Sequence, residues 1–360
     1  MPISPARGAA FEILRRVDEE AAYSSVLLAR ADGNLNAKDR GLSHELVLGV
    51  LRQQLWLDRS IEHFSNRTVE SLDLPVVIAL RLGLYQLRFL SRVPASAAIN
   101  ESVNLVKAAR VKSAASFVNA VLRRATREPK YDPVAGVDDP IECLSIETSH
   151  PCWLLERWQS QFGFEETTAI ARANNEAGGI SFRFTRKAIH GERTPSEIVN
   201  ELKAAGAQLI DGTIAPDAWH FMGRNVEEKD TGAPQARMPA LRLLADEGLI
   251  YFQDEASQLV AHLLAAQNGE RVLDVCGAPG SKSTLVSVLA PQSKIVSCDL
   301  YEHRVRTMKE LAIQQEATNI EFVVHDATSP LPFRELSFDR VLVDAPCSGT
   351  GTLQIGRAHV

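Results

Sequence analysis

Two short stretches near the end of the sequence combine residues that could do chemistry. Residues 274–283, "DVCGAPGSKS", place two glycines and a proline between an apolar run and a helix-like segment. Residues 344–351, "DAPCSGTG", place an aspartate and a cysteine directly after another apolar run. Glycine lets a backbone turn tightly and approach a ligand, and a cysteine thiolate is a nucleophile. The spacing alone therefore predicts a ligand-binding turn beside a reactive loop, with Cys347 as the candidate nucleophile.

Acidic residues stand at or near the ends of four β-branched runs within residues 271–346. Asp274 lies just inside the end of the first run, and the other three runs end with Asp299, Asp326 and Asp344. Ligands of open α/β sheets bind at the carboxyl ends of the strands. We expect Asp299 to accept hydrogen bonds from a ribose diol and Asp326 to reach an adenine amine. Such an acidic cleft favours a cationic adenosine ligand, for which S-adenosylmethionine is the natural candidate.

The turn departs from two common phosphate-binding signatures. It has neither the G-x-x-x-x-G-K spacing of the P-loop nor the G-x-G-x-x-G spacing of dinucleotide-binding turns. A glycine-containing turn between a strand and a helix is only moderately specific, and an ordinary structural turn is the alternative interpretation. The acids at the strand ends favour the ligand-binding interpretation.

The periodicity of apolar residues divides the chain into parts that would position these residues. Spacings of three and four from Ala6 to about Glu128 indicate an all-helical bundle. The mixed pattern that follows indicates a small α+β module, and the alternation of β-branched runs with helix-length segments near the end indicates a doubly wound parallel sheet. We therefore expect a multidomain fold: an all-α bundle in residues 1–140, a small α+β module in residues 141–240, and an incomplete α/β, Rossmann-like domain in residues 241–360.

Composition narrows the classes of protein and the partners to expect. The 360 residues are 45% hydrophobic and 23% charged, which is ordinary for globular proteins. The five cysteines form no C-x-x-C pair and no cluster with zinc spacing, so we expect no disulfide framework and no metal site. Arg81 and Arg88 interrupt the most apolar long stretch, so we expect no membrane span. A cytoplasmic monomer is the corresponding expectation.

Basic residues are concentrated in the helical front of the chain. Residues 81–127 carry nine lysines and arginines and one acid, Glu101. Lysine and arginine on one surface neutralise the phosphates of a nucleic acid and release its counterions. A solvated helical face is an equally good interpretation of charge alone.

The motifs together resemble a known family. "DVCGAPGSKS", "DAPCSGTG" and the preceding "YFQDEASQ" resemble motifs of the RNA 5-methylcytosine methyltransferases, and the helical front resembles the NusB-like RNA-binding domain. The combination is similar to the bacterial 16S ribosomal RNA cytosine methyltransferases. Ser281 stands where members usually have a second glycine. The resemblance implies S-adenosylmethionine contacts from ten residues: Cys276, Gly277, Ala278, Pro279, Gly280, Ser281, Lys282, Asp299, Asp326 and Asp344.

The resemblance also implies a reaction and a substrate, 16S ribosomal RNA. Members of the family methylate carbon 5 of cytosine through a covalent bond between a cysteine and the RNA. They use two cysteines: the one matching Cys347 assists release of the product, and another, after the next strand, attacks the base. The second has no counterpart among the five cysteines here, and the sequence departs from the family after Gly351. We therefore expect a C-terminally truncated methyltransferase domain that is inactive as it stands.

Two other functions remain to be weighed against this one. A noncatalytic RNA-binding protein of the NusB-like type would use the basic helical domain alone. A methyltransferase acting on the amino group of adenine is disfavoured, because the last loop reads D-A-P-C where an Asn/Asp-Pro-Pro-aromatic sequence is wanted.

Overall fold

The computed structural model describes residues 3–20, 22–175, 180–223 and 238–345. The described residues up to 175 belong to one compact unit, and those from 180 to 345 belong to a second. Each unit has hydrophobic cores of its own and is described by itself. The finer division into three domains, with boundaries at residues 140 and 240, stays a prediction.

The regular secondary structure among the described residues of the first unit is all helical, which confirms the all-α prediction for the front of the chain. Short 3₁₀ turns at Val69–Ser71 and Lys112–Ala114 separate some of the helices. The α-helices are α1 (Pro5–Glu20), α2 (Ser24–Asp32), α3 (Ala37–Arg52), α4 (Gln54–Ser65), α5 (Leu74–Phe89), α6 (Ala95–Ala108), α7 (Ala115–Arg127), α8 (Pro140–Thr148), α9 (Cys152–Phe162) and α10 (Phe164–Ala173).

Helix α5 forms the centre of the bundle core. Every residue from 76 to 86 is buried, as expected of a helix that is apolar on nearly all sides. A Cβ at Gly83 would lie 2.6 Å from a methyl carbon of Leu122, so glycine permits the close approach of α7. The segment that could have been mistaken for a membrane span is thus the core helix of a bundle. None of the described helices is long and apolar enough to cross a bilayer.

Arg81 does not belong to the basic surface expected from the sequence. It is 8% exposed and its guanidinium is held by two carboxylates. The Arg81 Nε donates to Asp58 Oδ1 at 2.7 Å, and Nη1 donates to Asp18 Oδ2 at 3.0 Å. The expectation was wrong for this residue because its acids lie in α1 and α4, outside the stretch in which charges were compared.

Two more basic residues of the stretch also bind within the protein. Arg88 donates to the carbonyl oxygens of Pro129 and Glu128 at 2.8 Å, and Arg124 donates to the carbonyl oxygen of His63 at 3.0 Å. The other six basic side chains of the stretch are exposed: Arg92, Lys107, Arg110, Lys112, Arg123 and Arg127. These six side chains therefore remain available to a polyanion.

The second unit begins with an antiparallel sheet in the strand order β2-β3-β1-β4. Phe182, Ile198, Leu241 and Ile250 lie in the core between this sheet and its helices. Its elements are β1 (Ile180–Phe184), β2 (Gln208–Asp211), β3 (Ala218–Gly223), β4 (Ile250–Phe252), α11 (Arg186–His190), α12 (Pro195–Ala204) and α13 (Met238–Asp246). The α+β prediction is confirmed, although the sequence did not indicate β3.

A parallel sheet follows in the strand order β7-β6-β5-β8. Its elements are α14 (Glu255–Leu263), β5 (Arg271–Asp274), α15 (Ser281–Leu289), β6 (Lys294–Asp299), α16 (Glu302–Gln314), β7 (Ile320–Val324) and β8 (Arg340–Leu342). The order changes direction between β5 and β8, which creates a crevice at the carboxyl end of β5. The prediction of a Rossmann-like α/β sheet is confirmed.

Strand β8 lies at an edge of the described sheet, where β5 is its strand partner. Val341 is 53% exposed and Val343 is 63% exposed. The described sheet thus presents apolar side chains at this edge. Exposed apolar strand edges are normally covered or charged in soluble proteins.

Candidate cofactor site

The turn between β5 and α15 is fixed by backbone hydrogen bonds. The N–H of Gly277 donates to the carbonyl of Cys298 in β6, and the N–H of Gly280 donates to the carbonyl of Gly277, both at 2.7 Å. Gly280 has φ +103°, and a Cβ at Gly277 would lie 2.0 Å from Ser297 Oγ. Both positions require glycine, one for its conformation and the other for space. The turn consequently lies close against β6 and leads directly into the N-terminus of α15.

Asp274 lies buried at the carboxyl end of β5, with 2% of its surface exposed. Its Oδ2 accepts a hydrogen bond of 2.5 Å from Ser283 Oγ. Its Oδ1 is buried and has no hydrogen-bond partner among the described residues. Burial raises the pKa of Asp274 to about 6, although the hydrogen bond from Ser283 and the charge of Lys282 act in the opposite direction. A buried carboxylate oxygen without a partner is suited to a donor group on a ligand.

Asp299 ends β6 on the other side of the turn and is 4% exposed. Its Oδ2 accepts from the N–H of Ala278 at 3.3 Å and lies 3.4 Å from Arg304 Nη1. Arg304 Nη2 also donates to the carbonyl of Ala278 at 3.2 Å. Arg304 therefore links the acid at the end of β6 to the turn. Its position in the first turn of α16, five residues after Asp299, was the sequence signal that could have identified it.

The other two strand-end acids differ from each other. Asp344, after β8, lies 2.7 Å from Lys282 Nζ at the start of α15, so the structure brings it to the turn. Asp326 is exposed two residues beyond β7 and accepts from the N–H and hydroxyl of Thr328 at 2.9 and 2.7 Å. The backbone hydrogen bond from Thr328 is the main cause that lowers the pKa of Asp326. Its described hydrogen bonds are thus local ones and none joins it to the turn.

Two cysteines near the turn can be examined in the structure as possible nucleophiles. Cys276 is partly buried in the turn, and burial raises the pKa of its thiol. Cys298 is fully buried in β6, where burial raises its pKa to about 11. Neither environment favours the thiolate that a nucleophile requires. Cys347 lies outside the described residues.

A hydrogen-bonded cluster that the sequence did not predict holds the start of α14, the helix that precedes β5. Glu255, at the start of α14, accepts from the N–H groups of Ile214 and Ala215 at 2.6 and 2.9 Å and lies 2.7 Å from His220 Nε2. Burial raises its pKa, but these hydrogen bonds outweigh burial and lower the pKa to about 2. Glu255 thus joins α14 to β3 and to the loop before β3. Such a contact between distant parts of the chain leaves no local pattern.

A cavity of about 420 Å³ lies apart from the turn, within the same unit. Its walls include Val199 of α12, Trp219 of β3, and Leu285 and Val288 of α15. None of the ten residues carried over from the resemblance lines it. The cavity is therefore separate from the turn between β5 and α15. The described residues also contain no group of three or more His, Cys, Asp or Glu side chains that could hold a metal ion.

The fold and the crevice define a class of protein, the open α/β-sheet proteins, whose ligands bind outside the carboxyl ends of the strands. Comparison with family models refines this class. A model of the NusB family matches residues 4–127, a ferredoxin-like domain of RsmF/B-like methyltransferases matches residues 150–224, and the 16S rRNA methyltransferase RsmB/F model matches residues 261–358.

Individual relatives match along nearly the whole chain. The probable ribosomal RNA small subunit methyltransferase B of Bacillus subtilis is 34% identical over 97% of this chain and 74% of its own length. The ribosomal RNA small subunit methyltransferase B of Pseudomonas syringae pv. tomato is 32% identical over 98% of this chain and 74% of its own. The chain therefore belongs to the 16S rRNA methyltransferase RsmB/F family.

A solved structure shows the same overall fold. The crystal structure of PH0851 superimposes with a TM-score of 0.71 and covers 99% of this chain and 77% of its own chain. The two sequences are 22% identical, so the likeness concerns the fold.

Proposed function

We propose that this protein transfers a methyl group from S-adenosylmethionine to carbon 5 of a cytosine in 16S ribosomal RNA. The observation that carries the proposal is the convergence of Asp274, with its unpartnered buried oxygen, and Asp299 on one glycine turn. The relatives named as ribosomal RNA small subunit methyltransferases support the substrate. A noncatalytic RNA-binding protein is less well supported, since the match to the methyltransferase model covers residues 261–358.

The residues around the turn fit the parts of S-adenosylmethionine. Asp274 Oδ1 suits the ammonium group, and the carboxylate of Asp299 suits the ribose diol. The free N–H groups at the N-terminus of α15 suit the carboxylate of the amino-acid part. The proposed cofactor residues remain Cys276, Gly277, Ala278, Pro279, Gly280, Ser281, Lys282, Asp299, Asp326 and Asp344. Asp274 is added to them, and Arg304 is added as the residue that holds Asp299.

The reaction requires more than binding. When bound, S-adenosylmethionine supplies an electrophilic methyl group on a sulfonium. Carbon 5 of cytosine becomes nucleophilic when a thiolate adds to carbon 6, and the thiolate leaves after a base removes the proton from carbon 5. We assign the base to Asp344 and the assisting thiol to Cys347. The raised pKa values of Cys276 and Cys298 disfavour both as the attacking thiolate. From the family resemblance, we expect the attacking cysteine to have no counterpart among the five cysteines of this chain.

The test separates cofactor binding from methyl transfer. Calorimetric titration of the 360-residue chain with S-adenosylhomocysteine should show binding that Asp299→Ala weakens at least about tenfold, a loss of about 1.4 kcal/mol. Glu302→Ala is the matched control, because Glu302 is an exposed acid three residues away that pairs with Arg306. Labelled-methyl transfer to 16S ribosomal RNA by the full gene product should place the label on carbon 5 of a cytosine. Label on an adenine nitrogen would contradict the proposal, and binding of RNA without cofactor would favour the noncatalytic function.

A further inference from the structure

Arg183 is a buried arginine that connects the antiparallel sheet to the cofactor turn. It lies in β1 and is 2% exposed. Its Nη2 donates to Thr284 Oγ1 at 2.8 Å and to the carbonyl of Ser281 at 3.0 Å. Its Nε donates to Gln253 Oε1 at 2.7 Å. The side chain therefore extends from β1 in the antiparallel sheet to the first turn of α15, the helix that follows the glycine turn of the parallel sheet.

The charge of Arg183 is not compensated by an acid. Its described acceptors are amide, hydroxyl and carbonyl oxygens, and no described carboxylate forms an ion pair with it. The aromatic ring of Tyr251 lies 5.2 Å from its guanidinium carbon. Burial lowers the pKa of Arg183 to about 10, so the side chain remains charged at neutral pH. Burying a charge without an opposite charge is costly, and an apolar side chain would pack in a strand core at lower cost.

The contacts of Arg183 lead through one hydroxyl to the turn itself. Thr284 Oγ1 accepts from Arg183, and its own proton can be donated to the carbonyl of Gly280, 2.9 Å away. Gly280 is the residue with φ +103° that ends the turn. Because Arg183 is only a donor, it leaves the Thr284 proton to the carbonyl of Gly280 or to that of Ser281, which lies 3.2 Å away. Arg183 thereby restrains both the last residue of the turn and the first residue of α15.

We propose that Arg183 is a positioning residue for the cofactor, which holds the turn and adds positive charge behind the N-terminus of α15. The inference rests on the proposed function, in which this turn binds S-adenosylmethionine. The charge strengthens the positive potential of the helix N-terminus and so favours a ligand that carries a carboxylate. An adenosine ligand without the amino-acid part gains only from the restrained turn.

Arg186, the first residue of α11, provides a matched control because it also contacts α15. It lies three residues after Arg183 and donates to the carbonyls of Ser287 and Pro291 at 3.3 and 3.4 Å. These acceptors lie at and beyond the last turn of α15, away from the cofactor turn. Its replacement removes contacts to the same helix without touching the residues that Arg183 restrains.

The experiment compares Arg183→Gln, Arg183→Lys and Arg186→Gln in the full chain. Two ligands are titrated by calorimetry, S-adenosylhomocysteine and 5′-methylthioadenosine, which lacks the amino-acid part. We expect Arg183→Gln to weaken the binding of S-adenosylhomocysteine at least about tenfold and the binding of 5′-methylthioadenosine less than about threefold. Arg183→Lys retains the charge and should recover part of the difference, while Arg186→Gln should leave both affinities close to those of the unmodified chain.

A second measurement needs no ligand, so it also applies to a variant that binds neither of the two ligands. Amide hydrogen exchange in residues 277–284 should be faster in Arg183→Gln than in Arg186→Gln, because the turn loses its restraint. Unchanged exchange in these residues would overturn the inference, as would equal losses of the two ligands in Arg183→Gln. Failure of the unmodified chain to bind either ligand would instead contradict the proposed cofactor, and the exchange comparison would still decide the role of Arg183 in the turn.

Discussion

The two units of the molecule treat buried charge in opposite ways. In the helical unit, Arg81 is neutralised by Asp58 at 2.7 Å and Asp18 at 3.0 Å. In the second unit, Arg183 is surrounded by neutral acceptors, and Asp274 keeps one buried oxygen without a partner. A buried charge normally requires an opposite charge, because its removal from water costs several kcal/mol. The bundle satisfies its buried charge internally, whereas the second unit leaves Arg183 without an acid and one oxygen of Asp274 without a partner among the described residues.

The difference is local to the turn and is not a property of the whole second unit. Away from the turn, Glu255 accepts hydrogen bonds from two backbone N–H groups and from His220. The unit therefore compensates buried charge where a structural contact is formed. Uncompensated ionisable groups in a crevice are typical of sites that bind a charged ligand. Three predictions examine this comparison, beginning with the largest expected effect on stability.

The compensated pair of the bundle should be the most sensitive to loss of one partner. Asp58→Asn removes a carboxylate that accepts from both Nε and Nη2 of Arg81, and Asp18 alone remains to neutralise the cation. We expect the free energy of unfolding of the helical unit to fall by about 3 to 5 kcal/mol. Urea unfolding followed by circular dichroism measures the change. Glu12→Gln, which removes an exposed partner of Arg15, should cost less than about 1 kcal/mol.

A loss below about 1 kcal/mol in Asp58→Asn would contradict the contrast between the units. It would mean that the bundle, too, tolerates a buried arginine that is only partly neutralised. The argument that the uncompensated charge of Arg183 is unusual in this protein would then lose its main support.

Most of the fold could be predicted from the sequence because its signals are local. The spacing of apolar residues predicts the helices of the bundle, and the β-branched runs predict the four parallel strands. Strand β3 was missed because "AWHFMG" has neither feature. It becomes a strand by pairing with β1 on one side and β2 on the other. That pairing depends on residues far away in the sequence.

For the candidate site, the positions of the acids were predictable and their hydrogen-bond partners were less so. The alternation of strands and helices predicts that Asp274 and Asp299 lie at one edge of the sheet, where the structure has them. The hydrogen bonds of these acids were harder to predict: Ser283 lies in the motif and Arg304 in the first turn of α16, but packing decides which acid each one meets. The prediction of a basic surface was wrong at Arg81 for the same reason, because the acids that pair with Arg81 come from other helices. Local patterns thus locate backbone elements better than they locate side-chain partners.

Asp274 should destabilise the chain at neutral pH when no ligand is bound. Burial raises its pKa to about 6, above the ordinary value of 3.8, so the folded state binds a proton more tightly than the unfolded state. Stability from this group is therefore present at low pH and is lost as the pH rises from about 4 through about 6. We expect Asp274→Asn to raise the free energy of unfolding by about 2 kcal/mol at pH 8, with a gain that shrinks toward pH 4. The same variant should weaken the binding of S-adenosylhomocysteine.

Asp326→Asn is the control, since Asp326 is exposed and its pKa is lowered by hydrogen bonds from Thr328. It should bring no gain in stability at pH 8. Urea unfolding of both variants at pH 8 and pH 5 supplies the comparison. If Asp274→Asn is less stable than the unmodified chain at pH 8, the carboxylate is compensated and the contrast with Arg81 fails.

The smallest effect on stability is expected at the basic corner of the bundle, defined as Lys107, Arg110 and Lys112. All three side chains are exposed, and none forms an ion pair with a described acid, so they cost the fold little and are free to meet phosphates. Replacing all three by alanine should change the free energy of unfolding by less than about 0.5 kcal/mol each. It should weaken ribosomal RNA binding and make the dependence of log affinity on log salt shallower by about 2. A control with alanine at Arg15 and Arg16, which pair with glutamates on α1, should alter that slope less. An unchanged slope in the triple variant would mean that RNA binds at another surface.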